Sequence, residues 1–232
     1  MKIHDILEHE QIYEGPNDPH IFKAVFLAGG PGSGKSYVAQ NMLRGTGLSS
    51  LNSDQAYEFL AKKHDIDLTN PVDVISWRGQ EVRDRAKEIT KKREELFLDG
   101  RLGLIIDGTG RDVRKIISSK EDLDKLGYDT MMLFVNTSEE VALQRNADRE
   151  RRIPDDMLSK MWKNVQDNIM KFQQVFGASN FWVLDNSGGL EDEERKENFD
   201  KVYKEITKFL QVPPTKRAAI KWLTKNTKNT KT

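Results

Sequence analysis

The chain has 232 residues, with 37 basic side chains, 37 acidic ones and no cysteine. That length accommodates one α/β domain with extensions. Zero net charge argues against a global pull on nucleic acid or anionic membrane but leaves room for a local basic patch, and the lack of cysteine excludes disulfides, thiolate catalysis and cysteine-based zinc sites.

Residues 1–20 mix charge with Gly15, Pro16 and Pro19 and read as an N-terminal extension without the apolar segment of a signal peptide. The domain proper is expected over 21–211. Five short apolar runs, at 21–28, 48–52, 102–106, 130–135 and 181–184, read as buried strands. Helical patterns separate them at 36–44, 54–64, 72–98, 113–126 and 138–151. A strong apolar stripe follows from Met157 to Phe176, with Pro154 and Asp155 at its start, and a last helix is expected at 199–210. Alternating strands and helices predict a three-layer α/β fold: a mostly parallel five-stranded sheet covered on both faces. Residues 212–232 hold six basic side chains and no acidic one, and read as a flexible, solubilising tail. No apolar run approaches the roughly 20 residues needed to cross a bilayer, so a cytoplasmic protein is expected.

Gly29-Gly30-Pro31-Gly32-Ser33-Gly34-Lys35-Ser36 satisfies the P-loop pattern, directly after a predicted strand and before a helix. Glycines there admit positive φ and turn successive N–H groups onto phosphate oxygens, and the helix N-terminus adds partial positive charge. Gly30, Gly32, Ser33, Gly34, Lys35, Ser36, Tyr37 and Arg149 form the expected ATP-contacting set. Lys35 should reach the β- and γ-phosphates, and Ser36, with Asp107, should serve Mg²⁺. No guanine-reading Asn-Lys-x-Asp signature is present, and the third strand lacks the paired acids expected of a motor or AAA-type ATPase.

Other motifs fall beyond the carboxyl ends of strands, where ligands bind in such sheets. Asp54, after the second strand, can accept the proton of an attacking hydroxyl, although Ser53 or Asp54 also suits a helix cap. Asp107-Gly108-Thr109-Gly110-Arg111 follows the third strand. Asp107, Thr109 and Arg111, with Asp54, are candidates for binding the acceptor; a turn chosen for backbone reasons is the alternative. Arg145, Arg149, Arg151 and Arg152 suggest an arginine-rich lid. Arg145 and Arg149, spaced i,i+4, would share one helix face and clamp phosphate oxygens, unless Asp148 and Glu150 merely make it a solvated charged helix. The catalytic set is therefore Lys35, Asp54, Arg145 and Arg149. The four scattered histidines lack metal-ligand spacing, and Trp77, Trp162 and Trp182 read as core.

Together these motifs resemble the polynucleotide kinase and zeta-toxin group of P-loop kinases over roughly residues 21–185. Arg145-Asn146-Ala147-Asp148-Arg149 followed by Ile153-Pro154-Asp155-Asp156-Met157-Leu158 is similar to the Arg-Asn-x-x-Arg and Val-Pro-x-x-x-Leu pair of phage polynucleotide kinases. Asp107-Gly108-Thr109-Gly110-Arg111 resembles the Glu-Gly-Thr-Gly-Arg end of the third strand in zeta toxins. The resemblance implies Asp54 as general base and Arg145 and Arg149 as contacts to the donor phosphates. The acceptor it implies is either a nucleic-acid 5′-hydroxyl or a nucleotide-activated sugar. Ser53 stands where phage polynucleotide kinases carry an arginine that helps read the acceptor phosphate, and no Asp-x-Asp-x-Thr phosphatase motif follows. From a different class, an ATP-binding switch with slow hydrolysis fits the P-loop alone.

Overall fold

The computed structural model describes residues 18–51, 53–149, 152–188 and 193–227. Its strands are β1 (Lys23–Ala28), β2 (Ser49–Leu51), β3 (Leu104–Asp107), β4 (Asp129–Asn136) and β5 (Phe181–Asp185). They form one sheet in the order β2-β3-β1-β4-β5, and every pairing is parallel. All five strands therefore end at one edge.

Side-chain alternation explains the layers. On β1, Ala24, Phe26 and Ala28 join Met132 and Phe134 of β4 in one buried cluster, while Val25 and Leu27 join Met131, Leu133 and Val135 in another. The first cluster packs against α5 (Val113–Leu126), α8 (Ile169–Phe176) and α10 (Arg217–Thr227). The second packs against α1 (Lys35–Val38), its π-helical continuation Ala39–Leu43, and α9 (Glu193–Gln211). Near-continuous burial along β1 and β4 is what a sheet covered on both faces requires.

The helix expected over 72–98 is instead α3 (Pro71–Ile75) and α4 (Trp77–Gly100). Ser76 makes the break. Its Oγ donates to Asp73 O at 2.6 Å and accepts from Gly79 N at 3.0 Å, capping the second helix. α4 pairs with α2 (Ser53–Lys63) around a separate small core of Tyr57, Leu60, Ala61, Ile66, Val82 and Ala86. Trp77, expected in the core, is 76% exposed.

The stripe at 157–176 is likewise two helices, α7 (Asp155–Gln166) and α8, interrupted where Asn168 turns toward another loop. The flexible tail is also corrected. Residues 217–227 are α-helical, because Ala219, Trp222 and Leu223 supply an apolar face that packs onto the sheet's core. Residues 1–17 of the expected extension, and 228–232, lie outside the described residues. No described helix is long and apolar enough to cross a membrane.

Candidate active site

The shared carboxyl edge gathers the loop 29–34 after β1, the start of α2 after β2, residues 108–112 after β3, Thr137 after β4 and Asn186 after β5. In the loop, Gly32 and Gly34 have φ of 76° and 85°. A Cβ at Gly32 would stand 2.8 Å from the backbone of Ala142, and one at Gly34 would stand 2.3 Å from Asn186 Nδ2. Both positions thus need glycine for conformation and for space. The Ser33 hydroxyl is buried without a hydrogen-bond partner among the described residues. A buried orphan of this kind inside a ring of glycines is the donor that a phosphate oxygen would satisfy.

A network missed in the sequence holds this loop. Asn186, 2% exposed, donates from Nδ2 to Ser33 O at 2.7 Å. Its backbone carbonyl accepts from Arg145 Nη2 at 2.8 Å, and Arg145 Nη1 donates to Gly32 O at 3.0 Å. Arg195, on α9, donates from Nε to Asn186 Oδ1 at 2.9 Å. Its guanidinium lies over the rings of Phe199 and Tyr37, at 4.6 and 5.4 Å. Burial and the nearby Arg195 charge lower the Arg145 pKa. Asn186 was open to discovery by the rule that selected Asp54 and Asp107, since it directly follows a strand at the same edge. Arg195 had no such signal, because it sits in the first turn of a charged helix.

Lys35, Asp107, Asp54 and Arg149 form one electrostatic group. The Lys35 amine donates to Gly29 O at 2.8 Å. Burial lowers its pKa, Asp107 opposes that shift and Arg149 adds to it. Burial raises the Asp107 pKa, Lys35 opposes the rise and Asp54 adds to it. Asp54 is exposed in the first turn of α2, which begins at Ser53. Ser36 and Tyr37 are exposed as well. Tyr37 turns its ring toward Phe199, with centroids 6.3 Å apart.

A carboxyl whose folded-state pKa is raised stabilises the fold below its unfolded pKa, and that contribution is lost as pH rises through the folded value. Asp107→Asn should therefore gain stability relative to the parent protein as pH increases from about 4. Thermal denaturation of both proteins across the acidic range checks this. Parallel profiles would remove Asp107 from the group.

The helix expected over 138–151 ends early, as α6 (Glu139–Ala147). Asn146 is responsible: its Nδ2 donates to Ile153 O at 2.7 Å and its Oδ1 accepts from Ile153 N at 3.0 Å, folding the chain back. Arg145 and Arg149 consequently do not share a helix face. Arg145 points into the loop network, whereas Arg149 lies past the helix end and acts on Lys35. Arg151 lies outside the described residues. The loop after β3 is held by another amide, Asn168, whose Nδ2 donates to Gly110 O and Arg111 O at 3.1 and 3.2 Å. The side chains of Thr109 and Arg111 are exposed and are not drawn into the Lys35 group.

The AAA domain family matches residues 25–173. No curated protein matches the sequence. Among solved structures, a chain from the PezAT chromosomal toxin–antitoxin system of Streptococcus pneumoniae is 15% identical, with TM-score 0.54 over 90% of this chain and 93% of that one. AvrRxo1-ORF1:AvrRxo1-ORF2 with sulphate ions gives 17% identity and TM-score 0.56 over 92% and 74%. The Pnkp1/Rnl/Hen1 RNA repair complex gives 21% and 0.50 over 67% and 48%. These likenesses establish a P-loop kinase-like fold of the kind the motifs implied. The family's AAA description coexists with a β3 that ends in one acid, Asp107, followed by Gly108.

Proposed function

The chain belongs to the AAA domain family, and we propose that it is a kinase carrying the γ-phosphoryl group of ATP to a hydroxyl of a nucleic acid 5′ end or of a nucleotide-containing small molecule. The observation that carries this reading is the placement of Lys35, Asp107 and Asp54 together at the carboxyl edge beside the glycine loop, with the Lys35 amine on Gly29 O. A loop built only to hold nucleotide needs no acid after β2. A phosphotransferase needs one to receive the acceptor's proton.

Gly32, Ser33 and Gly34 would hold the phosphates through their N–H groups and the Ser33 hydroxyl. Asp54 would take the proton of the acceptor hydroxyl. The acceptor oxygen then forms its bond to phosphorus as the bond to the bridging oxygen breaks, and ADP leaves. Lys35 and Arg149 would neutralise charge on the transferred group. Arg145 keeps the loop in shape through its bonds to Gly32 O and Asn186 O. Mg²⁺ binds through one or two protein groups plus substrate phosphates. Ser36 and Asp107 would hold it, and its charge would offset that of the phosphates. AvrRxo1-ORF1:-ORF2, of related fold, was solved with ATP, which supports ATP as donor.

The acceptor divides into two readings. A polynucleotide end is favoured by the Arg145–Arg149 and Ile153–Leu158 motifs. A nucleotide-activated sugar is favoured by Asp107-Gly108-Thr109-Gly110-Arg111 and by Ser53 in place of an acceptor-reading arginine. Incubation with γ-labelled ATP and a panel of 5′-hydroxyl oligonucleotides, nucleoside monophosphates and nucleotide sugars separates them. Label on one acceptor class is the expected result. Release of inorganic phosphate alone would identify a slow ATPase switch instead.

Asn186→Ala should weaken nucleotide binding about tenfold, equivalent to roughly 1.4 kcal/mol, because it removes the donor to Ser33 O and the acceptor of Arg195 Nε. Titration with a fluorescent ATP analogue measures this. Unchanged affinity would mean that the loop keeps its shape without the clamp.

A further inference from the structure

We propose that the exposed face of α10 binds the phosphodiester backbone of nucleic acid, at a site separate from the P-loop edge. The inference does not rest on the phosphotransfer reading. It begins with charge segregation: residues 212–232 hold six of the 37 basic side chains and none of the 37 acidic ones, which leaves an acidic excess of the same size in the preceding residues.

The basic segment is mounted on the fold. Ala219 is fully buried, and Trp222 meets Phe22 edge-on with centroids 5.5 Å apart. Lys216 reaches Asp124 at 2.7 Å and also bonds to Tyr128 O. Phe22 precedes β1, so α10 lies at the amino end of the strands, opposite the glycine loop.

Arg217, Lys221 and Lys225 are all exposed and recur every fourth residue, about 6 Å apart along one helix face. Elsewhere, surface helices pair their lysines with acids of their own, as in Lys87–Asp84, Lys160–Asp156, Lys196–Glu193 and Lys208–Glu205. α10 has no acid to offer. The acids of the adjoining α5 are engaged: Asp124 by Lys120 and Lys216, Asp122 by Lys125. Glu121 acts on Lys125 as well.

A duplex offers one phosphate charge per roughly 1.7 Å of axis, so all three cations can find partners along it. An anionic membrane is the other polyanion to consider, but a basic helix attaches there by inserting its apolar face. In α10 that face is turned inward, with Ala219 buried and Trp222 and Leu223 packed against the core, and Ile220 is the one large apolar side chain of the helix that is exposed.

The test uses the full chain and a short fluorescent duplex with 5′-phosphorylated ends, which offers no 5′-hydroxyl to the catalytic edge. Binding is followed by anisotropy across a salt series, for the parent, the triple variant Arg217→Ala/Lys221→Ala/Lys225→Ala, and Lys35→Met. The plot of log affinity against log salt should be steeper for the parent than for the triple variant by about 3. Lys35→Met should match the parent, and the triple variant should keep its affinity for the ATP analogue. Four results would overturn the proposal: no duplex binding at low salt, equal slopes for parent and triple variant, dependence on Lys35, or tighter binding to phosphatidylserine-rich vesicles than to the duplex.

Discussion

Asp54→Ala should lower phosphoryl transfer by about 10²–10⁴-fold, the usual contribution of a positioned general base, while ATP-analogue affinity stays within about twofold of the parent. Asp54 is exposed in the first turn of α2, so its removal leaves no cavity, and the helix retains its packing through Tyr57, Leu60 and Ala61. Loss of activity would therefore report chemistry and not unfolding. The variant carries an internal check, because Asp54 helps to raise the Asp107 pKa; without it, the pH dependence attributed to Asp107 should weaken. Asp54→Asn, which keeps shape and loses basicity, should be equally inactive. Steady-state transfer and analogue titration on the same preparations measure both halves. Full turnover in either variant would remove Asp54 from the mechanism.

Lys35→Met should fail differently, losing about 10²–10³-fold in transfer and much of the nucleotide affinity as well. The ammonium is half-buried and held on Gly29 O, aimed back across the loop that would receive the phosphates. Methionine keeps most of the stem and removes the charge. Because burial lowers the Lys35 pKa, the free protein already disfavours that charge, so the variant should be no less stable than the parent when no nucleotide is bound. Calorimetric binding with ATP, beside thermal denaturation without it, tests the pair of expectations. Parent-like affinity would show that the loop binds something other than a polyphosphate.

Much of this edge was legible in the sequence because each feature there has a local signature. The glycine spacing before Lys35-Ser36 defines the loop, and an acid following an apolar run marks Asp54 and Asp107. α5 was expected over the residues it occupies. The misses share a physical cause: a polar side chain that bonds backbone outside the regular helical ladder, local at Ser76 and Asn146 and long-range at Asn168, and so overrides periodicity. Ser76 breaks the helix expected over 72–98, Asn146 ends α6 before Arg149, and Asn168 separates α7 from α8. Each fits a helical pattern until its hydrogen-bond partner is known. The same holds for Asn186 and Arg195, whose clamp joins residues 153 and 9 positions apart. The tail was misjudged for the opposite reason. Its polar Asn-Thr-Lys composition masked the spacing of Ala219, Trp222 and Leu223, which is amphipathic once a core is there to meet it.

The central claim is transfer to a hydroxyl, and the most direct measurement follows the γ-label of ATP in one incubation with the acceptor panel, comparing the parent with Asp54→Ala. The parent should move label onto an organic acceptor faster than it releases inorganic phosphate, and Asp54→Ala should abolish that transfer. Label appearing only as inorganic phosphate, or reaching an acceptor at the same rate without Asp54, would contradict the account.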